Sequence, residues 1–255
     1  QLTQDLLLLP AHQGRLAAYC SAKGRILASF YIVKVNPEKV LLVCKKDALE
    51  STIKRLKMFI LRAKVQLRDA SLETPVWGLV GAMAKHFFAA TDTPLVAPWS
   101  AVSSDEFSVL SLYEAQGVPR AIYLGLPDKN HFQSFSPINQ QDWDLLNVLS
   151  GVCLIGQNLA DAFVPQMINY ESIGGVNFKK GCYPGQEVVA RSQFRGTLKR
   201  RLYIATSDEL ATPGQELTLT SDPEQACGTV IESTVTSQGK CCSFVRPKSS
   251  IFGIL

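Results

Sequence analysis

Residues 174–187 read Gly-Gly-Val-Asn-Phe-Lys-Lys-Gly-Cys-Tyr-Pro-Gly-Gln-Glu, which combines two lysines, one cysteine and a forced turn in one short segment. Pro184 and Gly185 suit the two central positions of a type II turn, because proline presets its φ and glycine takes a positive φ at little cost. A residue that precedes a proline avoids the helical region, so we expect Tyr183 to be extended. The chain is therefore expected to turn sharply here and to enter a new element at Gln186.

Residues 186–194 predict a short helix after this turn, in which Glu187 and Arg191 are spaced to pair and Gly196 ends the helix. Cys182 then lies at a strand end, beside a helix N-terminus and two ammonium groups, and both surroundings favour a thiolate. On the residues alone, ordinary architecture is the simpler interpretation, because a Pro-Gly turn beside a buried cysteine needs no function.

A family resemblance changes that balance. Lys180 to Glu187 (Lys-Gly-Cys-Tyr-Pro-Gly-Gln-Glu) resembles the K-G-C-[YF]-x-G-Q-E signature of the YgfZ-type folate-binding proteins, which are relatives of the glycine-cleavage aminomethyltransferase. The similarity extends on both sides, from Gly174-Gly175-Val176 to Phe194-Arg195-Gly196, and continues weakly in Gln1-Leu2-Thr3-Gln4-Asp5, Ala22-Lys23-Gly24-Arg25 and Gln141-Asp142-Trp143. It covers most of the chain, but about residues 70–110 carry no recognisable match.

Composition indicates a globular chain of more than one domain. The 255 residues are 46% hydrophobic and 19% charged, which is ordinary for a protein with a substantial core. No apolar run approaches the roughly 18 residues that cross a bilayer, and no signal peptide is visible. The chain begins at Gln1, where the resembled family has more sequence, so we expect a fragment. The predicted location is the cytoplasm, or the mitochondrial matrix if a targeting segment has been removed.

The cysteines and histidines predict neither a disulfide framework nor a metal site. The seven cysteines include no C-x-x-C pair, and the three histidines are scattered. This usage is typical of a reducing compartment. We therefore expect no stable metal. Separately, we expect the chain to be a monomer.

Positive charge is concentrated near the motif. The net charge is +4, yet between residues 179 and 201 the basic residues face a single acid, Glu187. The predicted basic patch consists of Lys179, Arg191, Arg195, Lys199, Arg200 and Arg201, with Lys180 beside it. Such a local patch fits RNA phosphates or the polyglutamate tail of a folate. A solvated strand end explains the run 199–201 without any function.

The first part of the chain predicts an antiparallel sheet with a helix on one side. Strands are expected at residues 15–20, 25–35 and 39–44, with a hairpin between the first two. A helix capped by Asp47 follows, and a further strand is expected at 64–69.

A second unit of similar kind follows. Its expected elements are a helix at 76–89, strands at 107–113 and 121–124, and a helix that starts at Ser136-Pro137 and ends near Ser150 before Gly151.

The last part of the chain is expected to return to the first unit and then to form only short strands and turns. Glycines and prolines break residues 151–178, as in a crossing segment. Short strands at 198–206, 216–220, 228–235 and 240–245, with turns such as Asp222-Pro223, predict a small β-barrel. The predicted fold class is α+β, with two antiparallel mixed domains (residues 1–71 with 151–196, and 72–150) and a barrel (197–255). In the resembled family these parts surround a central channel.

The resemblance implies a folate site. Trp143 matches a tryptophan that stacks on the folate ring, although a core tryptophan is the commoner fate of such a residue. Gln186 and Glu187 are candidates to bind the donor-rich edge of the pterin, or simply to cap a helix. Tyr183 and Gly185 are included as cofactor-binding residues.

Cys182 is the candidate reactive residue, with Lys180 holding it as a thiolate or binding an anion. A Cys/His nucleophile has no nearby histidine in sequence, and a stable iron–sulfur cluster needs more cysteine ligands than the motif offers. A reactive or transiently ligating thiol remains, beside the alternative of a packed thiol. The lysine pair is also typical of a solvated surface.

Three functions follow from these residues. The resemblance implies a tetrahydrofolate-binding accessory protein, rather than a classical transferase, that maintains iron–sulfur enzymes and thereby tRNA methylthiolation. Its partners are then iron–sulfur or tRNA-modifying enzymes, with direct tRNA contact. The alternative is a one-carbon transferase like the aminomethyltransferase, whose branch has D-F-x-G where this chain has Cys182-Tyr183-Pro184-Gly185. The third is an RNA-binding module, which lacks interleaved aromatics apart from Phe194 and Tyr203.

Overall fold

A computed structural model describes residues 1–89, 97–128, 132–196, 198, 200–219, 222–236 and 241–245. In these ranges the chain forms three antiparallel sheets with helices packed against them, as the predicted α+β class requires. None of the helices described there is long and apolar enough to cross a membrane.

The first sheet confirms the predicted hairpin. It contains β1 (Gln13–Cys20), β2 (Ile26–Lys34) and β3 (Val40–Val43) in the order β1-β2-β3. Successive side chains of a strand point to opposite faces. Accordingly, Leu16 of β1 packs in the largest hydrophobic cluster, whereas Ala17 packs with residues of the N-terminal segment and of the first helix. Both faces are therefore covered, which explains why β1 and β2 are almost entirely buried.

The first helix, α1 (Lys46–Lys57), occurs where it was expected but starts differently. Asp47 was predicted as its cap, yet the N-cap residue is Lys45 and no side chain caps the helix. The Asp47 carboxylate accepts a hydrogen bond from the backbone N–H of Gln157 instead, at 3.0 Å. The strand predicted at 64–69 is absent. Those residues are mostly exposed and have no ladder partner, so nothing holds them in a sheet.

The second sheet lies in residues 76–125. It contains β4 (Val76–Val80), β5 (Ala101–Ser103), β6 (Phe107–Ser111) and β7 (Arg120–Gly125) in the order β4-β7-β6-β5. The prediction of a helix at 76–89 was wrong for its first half, because 76–80 pair with β7 and only α2 (Ala82–Ala89) is helical. One face of this sheet packs against Phe87 and Phe88 of α2.

Helix α3 (Gln140–Leu149) starts later than the Ser136-Pro137 signal predicted. Its cap is Asn139, whose side chain accepts a hydrogen bond from the backbone N–H of Asp142 at 2.8 Å. Gly151 follows the helix with a φ of 72°, so the predicted stop is confirmed. A side-chain acceptor at the cap position outweighed the proline signal upstream.

The crossing segment returns to the first sheet, as predicted. It contains two 3-10 turns, Gln157–Leu159 and Pro165–Ile168. The backbone N–H of Ile26 donates to Phe163, and that of Asp161 donates to Ile26, both at 2.7 Å. These bonds lengthen the edge of the first sheet with a segment that lies far along the chain.

The third sheet contains β8 (Tyr203–Ser207), β9 (Glu216–Leu219), β10 (Asp222–Val235) and β11 (Cys241–Val245) in the order β8-β11-β10-β9. In the ranges described, this sheet does not close into the predicted barrel. The turn expected at Asp222-Pro223 was wrong, since both residues lie inside β10. A register shift between Asp222 and Ala226 accommodates the proline there. Helix α3 packs against β10 and β11.

Candidate functional site

The Pro-Gly turn of the motif forms as predicted. Gly185 has φ 76° and ψ 5°, the values that the third position of a type II turn requires. The carbonyl of Tyr183 accepts a hydrogen bond from the backbone N–H of Gln186 at 3.1 Å, which closes the turn. Tyr183 is buried. Helix α4 (Gln186–Phe194) begins immediately after the turn, within the predicted bounds.

This turn is seated on the β1–β2 hairpin. A Cβ added to Gly185 would lie 2.4 Å from the Cα and N atoms of Gly24 and 2.4 Å from the carbonyl oxygen of Ser21. Gly24 itself has a φ of 71°, and a Cβ there would lie 2.9 Å from the Cβ of Val188. The backbone of the Pro-Gly turn is therefore in direct contact with the backbone of the β1–β2 hairpin. A side chain at Gly185 or at Gly24 would clash, which explains why both residues are glycines.

The motif is also tied to the N-terminal residues. Thr3 Oγ1 donates to the carbonyl of Gly175 at 2.7 Å, and the N–H of Asn177 donates to the carbonyl of Thr3 at 2.8 Å. Lys180 Nζ donates to the carbonyl of Leu2 at 2.9 Å. These long-range bonds hold the segment that carries Cys182 against the N-terminal residues.

Cys182 is an exposed free thiol beside a partly buried lysine. The Lys180 ammonium lies 5.1 Å from the centre of the Tyr183 ring, a cation–π arrangement. Partial burial lowers the pKa of Lys180, while the charges of Asp5 and Cys182 act in the opposite direction. The charge of Cys182 thus acts on Lys180, and the exposed thiol is open to a partner.

The other motif residues lie at the surface. Glu187 pairs with Arg191 at 3.1 Å, as predicted, but both side chains are largely exposed, so the pair adds little stability. Gln186 is half-buried, and Arg195 is exposed. Neither Gln186 nor Glu187 is among the described residues that line the two cavities presented below.

One member of the predicted basic patch is paired inside the fold. Arg201 donates to Glu171 and, at 3.2 Å, to the carbonyl of Gln166, so its charge is neutralised there. Lys179 is exposed, Arg200 is partly exposed, and Lys199 lies outside the described residues. Arg201 therefore does not add a free cation to the patch.

A cavity of about 970 Å³ lies where the three sheets meet. Its walls come from β2 and β3, from β4 and β7, from α3 and from β10. Most lining side chains are apolar. The charged or amide side chains among them are Lys45, Asn139, Gln140, Asp144, Asn147 and Glu232. An apolar cavity of this size with a few polar groups is typical of a small-molecule site.

Trp143 of α3 lines this cavity. Its indole lies directly over Gly78, because a Cβ added to that glycine would be 2.5 Å from the ring. The guanidinium carbon of Arg120 lies 4.8 Å from the centre of the Trp143 ring. Gly78 pairs with Ile122, two residues from Arg120, so both contacts come from the same face of the second sheet. Contacts with the second sheet thus hold the indole in position at the cavity wall.

Arg120 is a site residue that sequence reasoning missed. It is completely buried at the start of β7 and donates to Asn147 of α3. Burial lowers the pKa of its guanidinium, and its Nε lacks a hydrogen-bond partner among the described residues. The sequence signal that could have revealed it is a single arginine at the first position of an otherwise apolar strand.

Lys45 and Glu232 form a second feature that the sequence did not reveal. Lys45 Nζ lies 2.6 Å from Glu232 Oε1, although the residues are 187 positions apart. Burial would lower the pKa of Lys45, but the adjacent carboxylate raises it overall. Burial raises the pKa of Glu232, and Lys45 offsets this only in part. Glu232 Oε2 is buried and has no hydrogen-bond partner within the described structure.

A second, shallower groove of about 390 Å³ adjoins the motif. Trp99, Phe178 and Lys179 line it. The rings of Trp99 and Tyr31 are 5.8 Å apart, and Tyr31 lines the larger cavity, so this ring pair stands between the two openings. The structure therefore places Trp143 in the cavity and Lys179 in the groove. In the described part of the chain, Cys182, Tyr183 and Gly185 line neither.

Across the ranges with coordinates, no group of three or more His, Cys, Asp or Glu side chains could hold a metal ion. The polar side chains in the cavity instead suit an organic molecule with hydrogen-bonding edges.

Several curated proteins are similar to the chain along most of its length. It is 30% identical over 254 residues to the tRNA-modifying protein YgfZ of Photobacterium profundum, covering 96% of this chain and 75% of the relative. Identity to the Escherichia fergusonii protein of the same name is 27%, over 94% of this chain and 76% of the relative. The Hamiltonella defensa protein is 30% identical over 84% of this chain and 65% of the relative. No protein-family model matches the chain.

A solved structure shares the fold. The glycine cleavage system aminomethyltransferase T from Bartonella henselae superposes with a TM-score of 0.68 over 97% of this chain and 71% of that one, at 14% identity. The mixed α and β architecture is therefore aminomethyltransferase-like.

Proposed function

The chain belongs to the family of YgfZ tRNA-modifying proteins, and from this premise we propose that it binds tetrahydrofolate in the cavity beside Trp143. We further propose that the folate-bound protein acts as an accessory factor in the cytoplasm. There it maintains iron–sulfur enzymes and so supports tRNA modification.

The cavity carries the folate part of this proposal. Its volume of about 970 Å³ lies at the upper end of the range for small-molecule sites, which leaves room for a pterin and its aminobenzoyl group. A flat apolar wall is available in the indole of Trp143, which Gly78 and Arg120 hold in place. Glu232, with one buried oxygen lacking a partner, offers an acceptor for ring N–H groups. These residues fit a folate.

Cys182 carries the part that concerns iron–sulfur enzymes. The thiol is exposed, its loop is fixed by bonds to the N-terminal residues, and Lys180 lies beside it. An accessible thiol next to a cation suits a redox step or transient ligation of iron on a partner protein. Because Cys182 lies outside the cavity, we propose that folate binding and thiol chemistry occupy separate surfaces.

A one-carbon transferase is a second candidate, which the carboxylates in the cavity favour. Asp144 and Glu232 both line it, and a carboxylate can orient a folate nitrogen in such a reaction. Turnover of methylene-tetrahydrofolate with an amine donor would establish this function. The pairing of Arg201 with Glu171 removes one cation from the surface that an RNA-binding module would need.

Tryptophan fluorescence tests folate binding. We expect tetrahydrofolate to quench the emission of the wild-type protein. Trp143→Phe should bind more weakly by calorimetry and lose only part of the quenching, because Trp77 also lines the cavity. Trp99→Phe is the matched control, because Trp99 lies outside the cavity. Absence of calorimetric binding to the wild type would refute the proposal.

Complementation of an iron–sulfur maintenance defect tests the role of Cys182. We expect Cys182→Ala to bind tetrahydrofolate normally and to fail in the cell, whereas the control Cys227→Ala complements. Full complementation by Cys182→Ala would contradict the proposed thiol chemistry.

A further inference from the structure

Lys45 and Glu232 bring a charged hydrogen-bonding unit to the cavity from two different sheets. Lys45 follows β3 of the first sheet, and Glu232 lies near the end of β10 of the third. Both line the cavity, and their side chains meet at 2.6 Å. Neither belongs to the motif at 180–187.

The pair has unused hydrogen-bonding capacity. An ammonium group has three donors, and Glu232 Oε1 is the one acceptor that Lys45 Nζ has in the described structure. The Glu232 carboxylate can accept about four hydrogen bonds, but among the described residues only Lys45 donates to it, and its buried Oε2 has no donor there. Rotation about the last side-chain bond, which has broad minima, can exchange the two oxygens. A donor, a free acceptor and a second acceptor thus lie side by side.

We propose that Lys45 and Glu232 read the acceptor–donor–donor edge of a 2-amino-4-oxopyrimidine ring. This edge belongs to a pterin and is shared by guanine. The ring carbonyl accepts from Lys45, while the ring N–H and the 2-amino group donate to the two oxygens of Glu232, a bidentate arrangement that is geometrically selective. This deepens the proposed folate function and rests on it.

The surroundings favour this assignment over the carboxylate of the motif. Glu187 is exposed, pairs with Arg191 and does not line the cavity. The Glu232 side chain is only 16% exposed at the cavity wall, so its hydrogen bonds to a ligand compete less with solvent than those of Glu187 would. Buried Arg120, whose charge acts on Glu232, helps to keep a carboxylate there.

The test makes the same chemical change at the two carboxylates. We expect Glu232→Gln to weaken tetrahydrofolate binding roughly 10- to 100-fold, because a charged hydrogen bond is lost and an amide N–H faces the ligand donors. Glu187→Gln should bind like wild type. Calorimetry gives the affinities, and circular dichroism with thermal unfolding shows whether each variant is folded.

A ligand series on the wild-type protein tests the same edge without any mutation. A folate analogue with methyl in place of the 2-amino group should bind at least tenfold more weakly than its 2-amino parent, by loss of a charged hydrogen bond. This difference should vanish in Glu232→Gln. Guanosine 5′-monophosphate presents the edge without the aminobenzoyl tail, so competition by it would identify guanine as the source of the edge.

The outcomes separate the two proposals. Wild type that does not bind tetrahydrofolate refutes the proposed function. Wild type that binds it, with Glu232→Gln and the 2-methyl analogue binding equally well, refutes only the role of Lys45 and Glu232. Loss of binding in Glu187→Gln with none in Glu232→Gln assigns the edge to the motif and also overturns the inference.

Discussion

Replacing Gly185 by alanine should destabilise the protein more than any other glycine substitution in the motif. The residue has a φ of 76°, where an L-residue costs roughly 1–2 kcal/mol. The new Cβ would also lie 2.4 Å from the Gly24 backbone, which must shift, and such overpacking costs about 1–3 kcal/mol. The free energy of unfolding should therefore fall by about 2–5 kcal/mol. At about 2–4 °C per kcal/mol, Tm should drop by roughly 5–20 °C.

Two neighbouring glycines separate the contributions. Gly174 has the same φ of 76°, but an added Cβ meets only Trp99 Nε1 at 3.8 Å, so Gly174→Ala should lose about 1–2 kcal/mol from strain alone. Gly181 has open space and no positive φ, so Gly181→Ala should change stability by less than about 0.5 kcal/mol. Urea unfolding followed by circular dichroism measures all three. If Gly185→Ala and Gly174→Ala lose the same free energy, the close seating of the turn on the hairpin is wrong.

Three further predictions follow from other contacts. Arg201→Met should lower the free energy of unfolding by about 3 kcal/mol, because it leaves the buried Glu171 carboxylate unpaired; an unchanged urea midpoint would show that water replaces the arginine. Iodoacetamide at neutral pH should label Cys182 quickly and Cys153 slowly, because Cys153 is buried and burial raises its pKa; mass spectrometry after brief labelling would expose the reverse order. Burial raises the pKa of Glu232, so it takes up a proton at higher pH than an ordinary glutamate; it then loses its charge, and one of its oxygens donates instead of accepting. The advantage of wild type over Glu232→Gln in tetrahydrofolate affinity should therefore shrink on acidification, and a pH-independent ratio would contradict this.

Local signals predicted local structure well. The β1–β2 hairpin, the Pro-Gly turn, α4 and the stop at Gly151 depend on residues a few positions apart, and each was confirmed. Two errors occurred where distant pairing decided the outcome, whereas the helix start expected at Ser136-Pro137 and the turn expected at Asp222-Pro223 were misread from local signals. Residues 76–80 became a strand because β7 lies beside them, and 64–69 had no partner.

The site shows the same division. Trp143 was found through resemblance, and the structure places it at the cavity wall. Arg120, Lys45 and Glu232 were missed because no short spacing connects them. Lys45 and Glu232 meet only after three sheets have packed, and an isolated lysine or glutamate in a sequence is normally a solvated surface residue. Conversely, the conspicuous motif at 180–187 lies apart from the cavity: Gly185 is seated on the β1–β2 hairpin, and Cys182 is exposed.

The bonds between residues 2–4 and the motif segment also govern the order in which the chain can fold. The second sheet is built from one stretch, Val76 to Gly125, so its strand partners leave the ribosome together. Thr3, by contrast, must wait for Gly175, and closing so long a loop is slow. During synthesis the Thr3 hydroxyl therefore lacks its Gly175 acceptor until 172 further residues have been added. The bonds that join residues 2–4 to the motif segment are thus completed after the second sheet.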